Sequence, residues 1–178
     1  MKIIKYALIC LFFIYSVVFF APKASLYYLA EKELAKHEIF LSDEKIYQKP
    51  YELLLENIKV LFEEIVIGEI KTVDAKVYLA YNAFSIKEAK LVSNSFKLFP
   101  KKLDSLDIVY SLKDPLHVNI NSMSDLGEIT GAYDLKTQTL QLILKPKKRA
   151  TAQYQEILKN FKAMKGGLYS YEKVIQFY

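Results

Sequence analysis

The sequence predicts a mainly β protein carried on an N-terminal transmembrane helix. The β part is an antiparallel sheet, closed as a sandwich or left as a half-open trough, with an amphipathic helix near the C-terminus. Three observations predict this. Residues 6–21 carry no charge, apolar residues recur at every second position from about Tyr51 to Leu144, and after Lys145-Pro146 the apolar period becomes helical.

The uncharged run YALICLFFIYSVVFFA spans Tyr6 to Ala21. With Ile3 and Ile4 ahead of Lys5 it approaches the roughly 20 residues that carry a helix across a bilayer. The spanning side chains are Tyr6, Leu8, Leu11, Phe12, Phe13, Val17 and Phe19, while Lys5 can lift its ammonium to the interface. A cleaved signal peptide begins in the same way, but cleavage needs a small-x-small exit. Phe19, Phe20, Ala21, Pro22 and Lys23 supply a poor one. A lipoprotein start at Cys10 is disfavoured by bulky Ile9 and by the apolar run continuing beyond it. Flanking charge leaves orientation open, because Lys2 and Lys5 are matched by Lys23, Lys32 and Lys36. A short basic N-tail before a large C-terminal domain is nevertheless the layout of a signal-anchor, which puts the domain outside the cytoplasm.

Residues 1–22 therefore read as the anchor and 23–46 as a juxtamembrane helix and linker. Lys23 to Lys36 is rich in helix formers, and Tyr27 and Tyr28 suit the headgroup zone. Residues 47–178 form the water-facing domain. Val73, Ala75, Val77, Leu79 and Tyr81 alternate with Asp74, Lys76, Tyr78 and Ala80. Leu106, Ile108, Tyr110 and Leu112, then Leu116, Val118 and Ile120, alternate with polar residues in the same way. Such alternation marks a sheet with one apolar face. Further strands are expected at 51–55, 58–62, 65–71, 84–91, 129–135 and 140–144, with Asn82-Ala83, Lys113-Asp114-Pro115, Ser124 to Gly127 and Lys136-Thr137-Gln138 as turns. Tyr154, Ile157, Leu158 and Phe161 then form one stripe of a helix over about 150–165, with Gly166-Gly167 as its stop. The aromatic tail from Leu168 offers a final strand.

Composition narrows the function. The formal charge of +5 comes from 25 basic and 20 acidic residues interspersed along the chain, a solvated mixed surface without the basic stripe and stacking aromatics of a nucleic-acid binder. Cys10 is the only cysteine, so no disulfide closes in the domain. The two histidines, His37 and His117, have no ligand partner at metal spacing. Neither Ser85 nor Ser111 sits on a nucleophile elbow, and Gly127-x-x-x-Gly131 lacks the lysine and helix start of a phosphate loop. These glycines read as a turn and a close strand crossing. Glu63-Glu64 and Asp43-Glu44 read as surface charges. No catalytic, metal or cofactor site is expected, and the chain reads as non-enzymatic. One basic group, Lys145, Lys147, Lys148, Arg149, Lys159 and Lys162, is a candidate contact for anionic headgroups or an acidic partner. The 14 Tyr and 11 Phe could line an interface or a greasy trough.

The order of these features resembles the N proteins of bacterial type II secretion systems and the wider AsmA-like envelope proteins. The similarity lies in the apolar anchor, the segment FAPKASLYYLAEKEL, the glycine-punctuated hairpin DPLHVNINSMSDLGEITGAYDL, the strand TLQLILKP and the ending KAMKGGLYSY. The resemblance implies a single-pass inner-membrane protein with a periplasmic β-domain, working in secretion or lipid trafficking. Its partners would be an envelope complex or a lipid. Two functions follow as expectations: an accessory or assembly component of such a complex, or a lipid-binding protein using an apolar trough beside the membrane.

Overall fold

The structure, a computed structural model, describes residues 2–92, 100–147 and 154–175. Helix α1 spans Lys2–Phe20 and α2 spans Ala24–Ala35. The strands β1 (Ile39–Ser42), β2 (Lys45–Lys49), β3 (Glu52–Phe62), β4 (Ile65–Val77), β5 (Tyr81–Leu91), β6 (Lys102–Ser111), β7 (Asp114–Ser124), β8 (Gly127–Asp134) and β9 (Thr139–Pro146) follow. A single helical turn, α3 (Gln155–Leu158), precedes β10 (Lys162–Ala163) and β11 (Tyr169–Val174). All eleven strands join one antiparallel sheet, ordered β1-β3-β4-β5-β6-β7-β8-β9-β11-β10, with β2 continuing the β1 edge along β3. The described strands thus make one continuous sheet. From β3 to β9 each strand pairs with the next in the chain, and β11 returns to pair with β9.

Residues directly opposite in the register share a face, and the register sorts the sheet into two unlike surfaces. One cross-strand row runs Leu53, Ala75, Phe84, Ile108, Ile120, Gly131, Leu142, Tyr171. The next row on the same face runs Leu55, Val73, Ile86, Leu106, Ser122, Ile129, Leu144, Tyr169. A row of the opposite face, between them, runs Leu54, Asp74, Ser85, Asp107, Asn121, Thr130, Ile143, Ser170. The period-two pattern of the sequence therefore becomes one apolar and one polar surface.

Only the two flanks of the apolar face are covered. On the first, α2 sets Tyr27 against Leu53, Leu55, Ile58 and Val73. The Tyr27 hydroxyl donates to Glu44 Oε1 at 2.8 Å, and this burial, then the carboxylate, pushes the phenol pKa up. On the second, α3 and its neighbours bring Tyr154 and Leu158 onto Leu126 and Leu144, which is fully buried. Phe84, Leu106, Ile108, Tyr110, Val118 and Ile120 in the centre belong to neither cluster. The accessible surface totals 12709 Å², against about 8,900 Å² expected of a globular monomer of this mass. The exposed side chains of α1 contribute to the excess.

Several expectations change. Strands expected separately at 51–55 and 58–62 are one strand, β3, and the same holds for β4. The break between them is a left-handed residue, Asn57 (φ 59°), matched by Glu88 (φ 52°) two strands away. It lets Leu55 and Ile58 both reach the core, which strict alternation forbids. The turn expected at Asn82-Ala83 lies at Tyr78 to Ala80, and Asn82 and Ala83 pair within β5. The sheet already begins at Ile39, inside the expected linker. Glu63-Glu64 is the β3–β4 turn, both residues at positive φ, the two-residue geometry that sequence preference reserves for Asn-Gly.

The helix expected over 150–165 is not formed: residues 148–153 lie outside the described residues, and beyond them α3 is one turn. Phe161 turns away to meet Tyr171 with ring centroids 5.5 Å apart, and Lys162-Ala163 pairs with Ser170-Tyr169. Gly166 (φ 83°) and Gly167 (φ 76°) make the hairpin between these strands and not a helix stop. The close strand crossing at Gly131 is confirmed, since a Cβ there would lie 2.0 Å from the Gln141 carbonyl oxygen.

Candidate membrane and apolar-face site

Beyond Lys5, helix α1 carries apolar residues on every side. Tyr6, Leu8, Leu11, Phe12, Phe13, Val17 and Phe19 all stand exposed, with Phe12 keeping 72% of its surface. A helix apolar on every side belongs in protein or lipid, and not in water. At 1.5 Å per residue its 19 residues reach about 28 Å, near the roughly 30 Å of a hydrocarbon core. Among the described residues no single helix is long and apolar enough to cross a membrane. Ile4–Phe20 together with Ala24–Ala35, bent by 57°, is so as a pair.

The C-terminal turns of α1 dock on one end of the sheet. Tyr15 and Phe19 lie 5.9 and 5.5 Å, ring to ring, from Tyr51 in the β2–β3 turn, and Tyr51 stacks on Tyr78 of the β4–β5 turn at 5.2 Å. Lys23 is buried and caps the helix, its ammonium donating to the carbonyls of Val18 and Phe19. These are carbonyls that a helix C-terminus leaves without partners. Lys23 follows α1 in the sequence, and the apolar run ahead of it was the readable signal; its plugging role was not.

The structure separates the predicted basic group. Lys145 lies on the polar face, in register with Glu128. Lys147 is exposed, its ammonium 3.9 Å from Asp104 Oδ2. Lys159 follows α3, over the apolar face, and Lys162 opens β10. Lys148 and Arg149 lie outside the described residues. The four that are described occupy both sides of the sheet at the end far from Tyr51, and so make no single patch beside α1.

No group of three or more potential metal ligands exists among the described residues. His117 meets Asp114 Oδ1 at 2.7 Å and Asp134 Oδ2 at 4.0 Å, and its pKa is raised, first by the hydrogen bond to Asp114. Asp134 is spent on the Lys136 and Thr137 amides, which makes this a turn clasp. The feature that sequence reading located only in outline is the central apolar face. Alternation marked it, but which part stays uncovered depends on where α2 and α3 land. No protein-family model, no curated protein and no solved structure matches the chain.

Proposed function

We propose that the protein is a non-enzymatic bacterial envelope protein, held in the inner membrane by α1, that shelters acyl chains on the apolar face of a periplasmic sheet. One observation carries the reading: the apolar row Phe84, Ile108, Ile120 crosses β5, β6 and β7, with Leu106, Tyr110 and Val118 beside it, yet none of these belongs to either buried cluster. Exposed Phe84 and partly buried Ile108 and Ile120 form an apolar strip between the flanks that α2 and α3 cover. Burying such a strip under a chain is worth about 25 cal/mol per Å². The resemblance to AsmA-like proteins agrees with this reading.

Native mass spectrometry of the full chain released from detergent tests it. A phospholipid adduct is expected, lost when Ile108→Lys and Ile120→Lys put ammonium groups in the strip. A wild-type chain that carries no lipid after incubation with phospholipid sinks the reading.

An accessory role in a secretion complex is the second reading, favoured by the edge that β1 and β2 form along β3. That edge directs backbone donors and acceptors outward, where a partner strand can add to the sheet. Photo-crosslinkers at Phe40 and Tyr47, both exposed, should capture an envelope protein in cells if it holds.

A further inference from the structure

Only one end of the sheet meets α1. At the end where α1 docks, the turns between β4 and β5, β6 and β7, and β8 and β9 present Tyr78, Leu79, Leu112 and Leu135, with Leu116 near the start of β7, each keeping between 40 and 56% of its surface. Backbone hydrogen bonds join neighbouring loops into one row: Val77 donates to Tyr51 at 2.9 Å, Leu112 to Ala80 at 3.0 Å, and Leu135 to Leu116 at 2.8 Å. The far end also exposes Ile65 and Val92, but its turns add Glu63, Glu64, Asp125 and Lys147.

We propose that this row of apolar loop tips is a second membrane contact, immersed in the interface of the bilayer that α1 enters. The proposal rests on the reading of α1 as the membrane span. It is argued from continuity, because the Tyr15, Phe19, Tyr51 and Tyr78 rings run without a gap from α1 into the first loop of the row. Charge agrees. Two carboxylates at this end are engaged, Glu52 by Lys49 at 2.6 Å and Asp114 by His117 at 2.7 Å, while Lys113 and Lys136 stand exposed at the tips. Tyrosine and leucine bracketed by lysine suit the boundary between acyl chains and anionic headgroups. The immersed row holds the sheet upright, so that the apolar strip opens at the bilayer surface.

The chain contains no tryptophan, so single tryptophans report depth without background. The full chain is reconstituted in phosphatidylethanolamine and phosphatidylglycerol vesicles with brominated acyl chains. Leu79→Trp, Leu112→Trp and Leu135→Trp are expected to emit blue-shifted light and lose about twofold or more of it to bromine, as residues of the interface do. Phe12→Trp in α1 should be quenched, and Ile65→Trp at the far end should not. The three rim positions lie on separate loops, so a folding defect in one leaves two readable. Unquenched rim variants beside a quenched Phe12→Trp overturn the rim and leave the span. A quenched rim beside an unquenched Phe12→Trp supports the contact and overturns the span. Quenching at neither overturns both, and equal quenching at Ile65→Trp overturns the assignment to this end.

Discussion

The flanks and the centre of the apolar face are built from the same residue types in the same rows, yet only the flanks are buried. Leu53 and Leu144 lie under Tyr27 and Tyr154, and each retains 5% or less of its surface. Ile108 and Ile120 occupy the same row as Leu53 but have no partner cluster. The difference teaches that alternation assigns a face, whereas coverage comes from distant segments of the chain. It also separates two roles for one surface: the flanks hold the fold together, and the centre is left to meet something else.

The largest test of that division is a pair of truncations. Leu144→Ala should cost about 2–5 kcal/mol by urea denaturation, the range for a buried leucine whose cavity does not collapse. Ile108→Ala should cost less, about 1–2 kcal/mol, since Ile108 is only partly buried and belongs to neither packed cluster. Equal losses would break the comparison by showing the centre to be as well covered as the flanks.

A smaller effect asks whether the flanks and centre unfold together. Glu64 sits at φ 66° in the β3–β4 turn, a conformation that costs an L-residue about 1 kcal/mol and glycine nothing. Glu64→Gly should therefore stabilise the sheet by about that amount. If the sheet is one cooperative unit, amide exchange slows by the same factor at Leu55 and at Leu144. Slowing at Leu55 alone would make the flanks independent.

The smallest effect is confined to β7, in the centre. The raised pKa of His117 means that the folded state binds the proton more tightly than the unfolded chain does. Its contribution to stability is complete below the ordinary histidine value of 6.5 and disappears as pH rises through the raised folded value. An NMR titration should place the His117 ring above 6.5. Asp114→Asn should return it toward that value and flatten the pH dependence.

Much of the sheet was legible because its signals are local. Val73 to Val77 and Leu106 to Tyr110 alternate cleanly, and Gly127 and Gly131 stand where strands turn and cross. What stayed hidden depends on contacts far apart in the chain. Asn57 looks like a turn residue in isolation, but β4 pairs on both sides of it and keeps β3 continuous. The stripe Tyr154, Ile157, Leu158, Phe161 has helical spacing, yet the helix ends at Leu158 and Phe161 meets Tyr171. Residues 39–49 show no long alternation, and they become strands because β3 offers them an edge. The candidate site was legible as a face and a helix, but the basic group that seemed contiguous in sequence falls on both sides of the sheet.

The Lys23 plug has a mechanical consequence. Its ammonium is tied back to Val18 and Phe19 while the next amide, on Ala24, donates to Gln48 of β2 at 3.1 Å. The joint between α1 and the sheet is thus gripped from both sides within two residues. It behaves as a bracket and not a leash: tilting the helix tilts the sheet, and a load on the sheet's far end is felt as torque on α1.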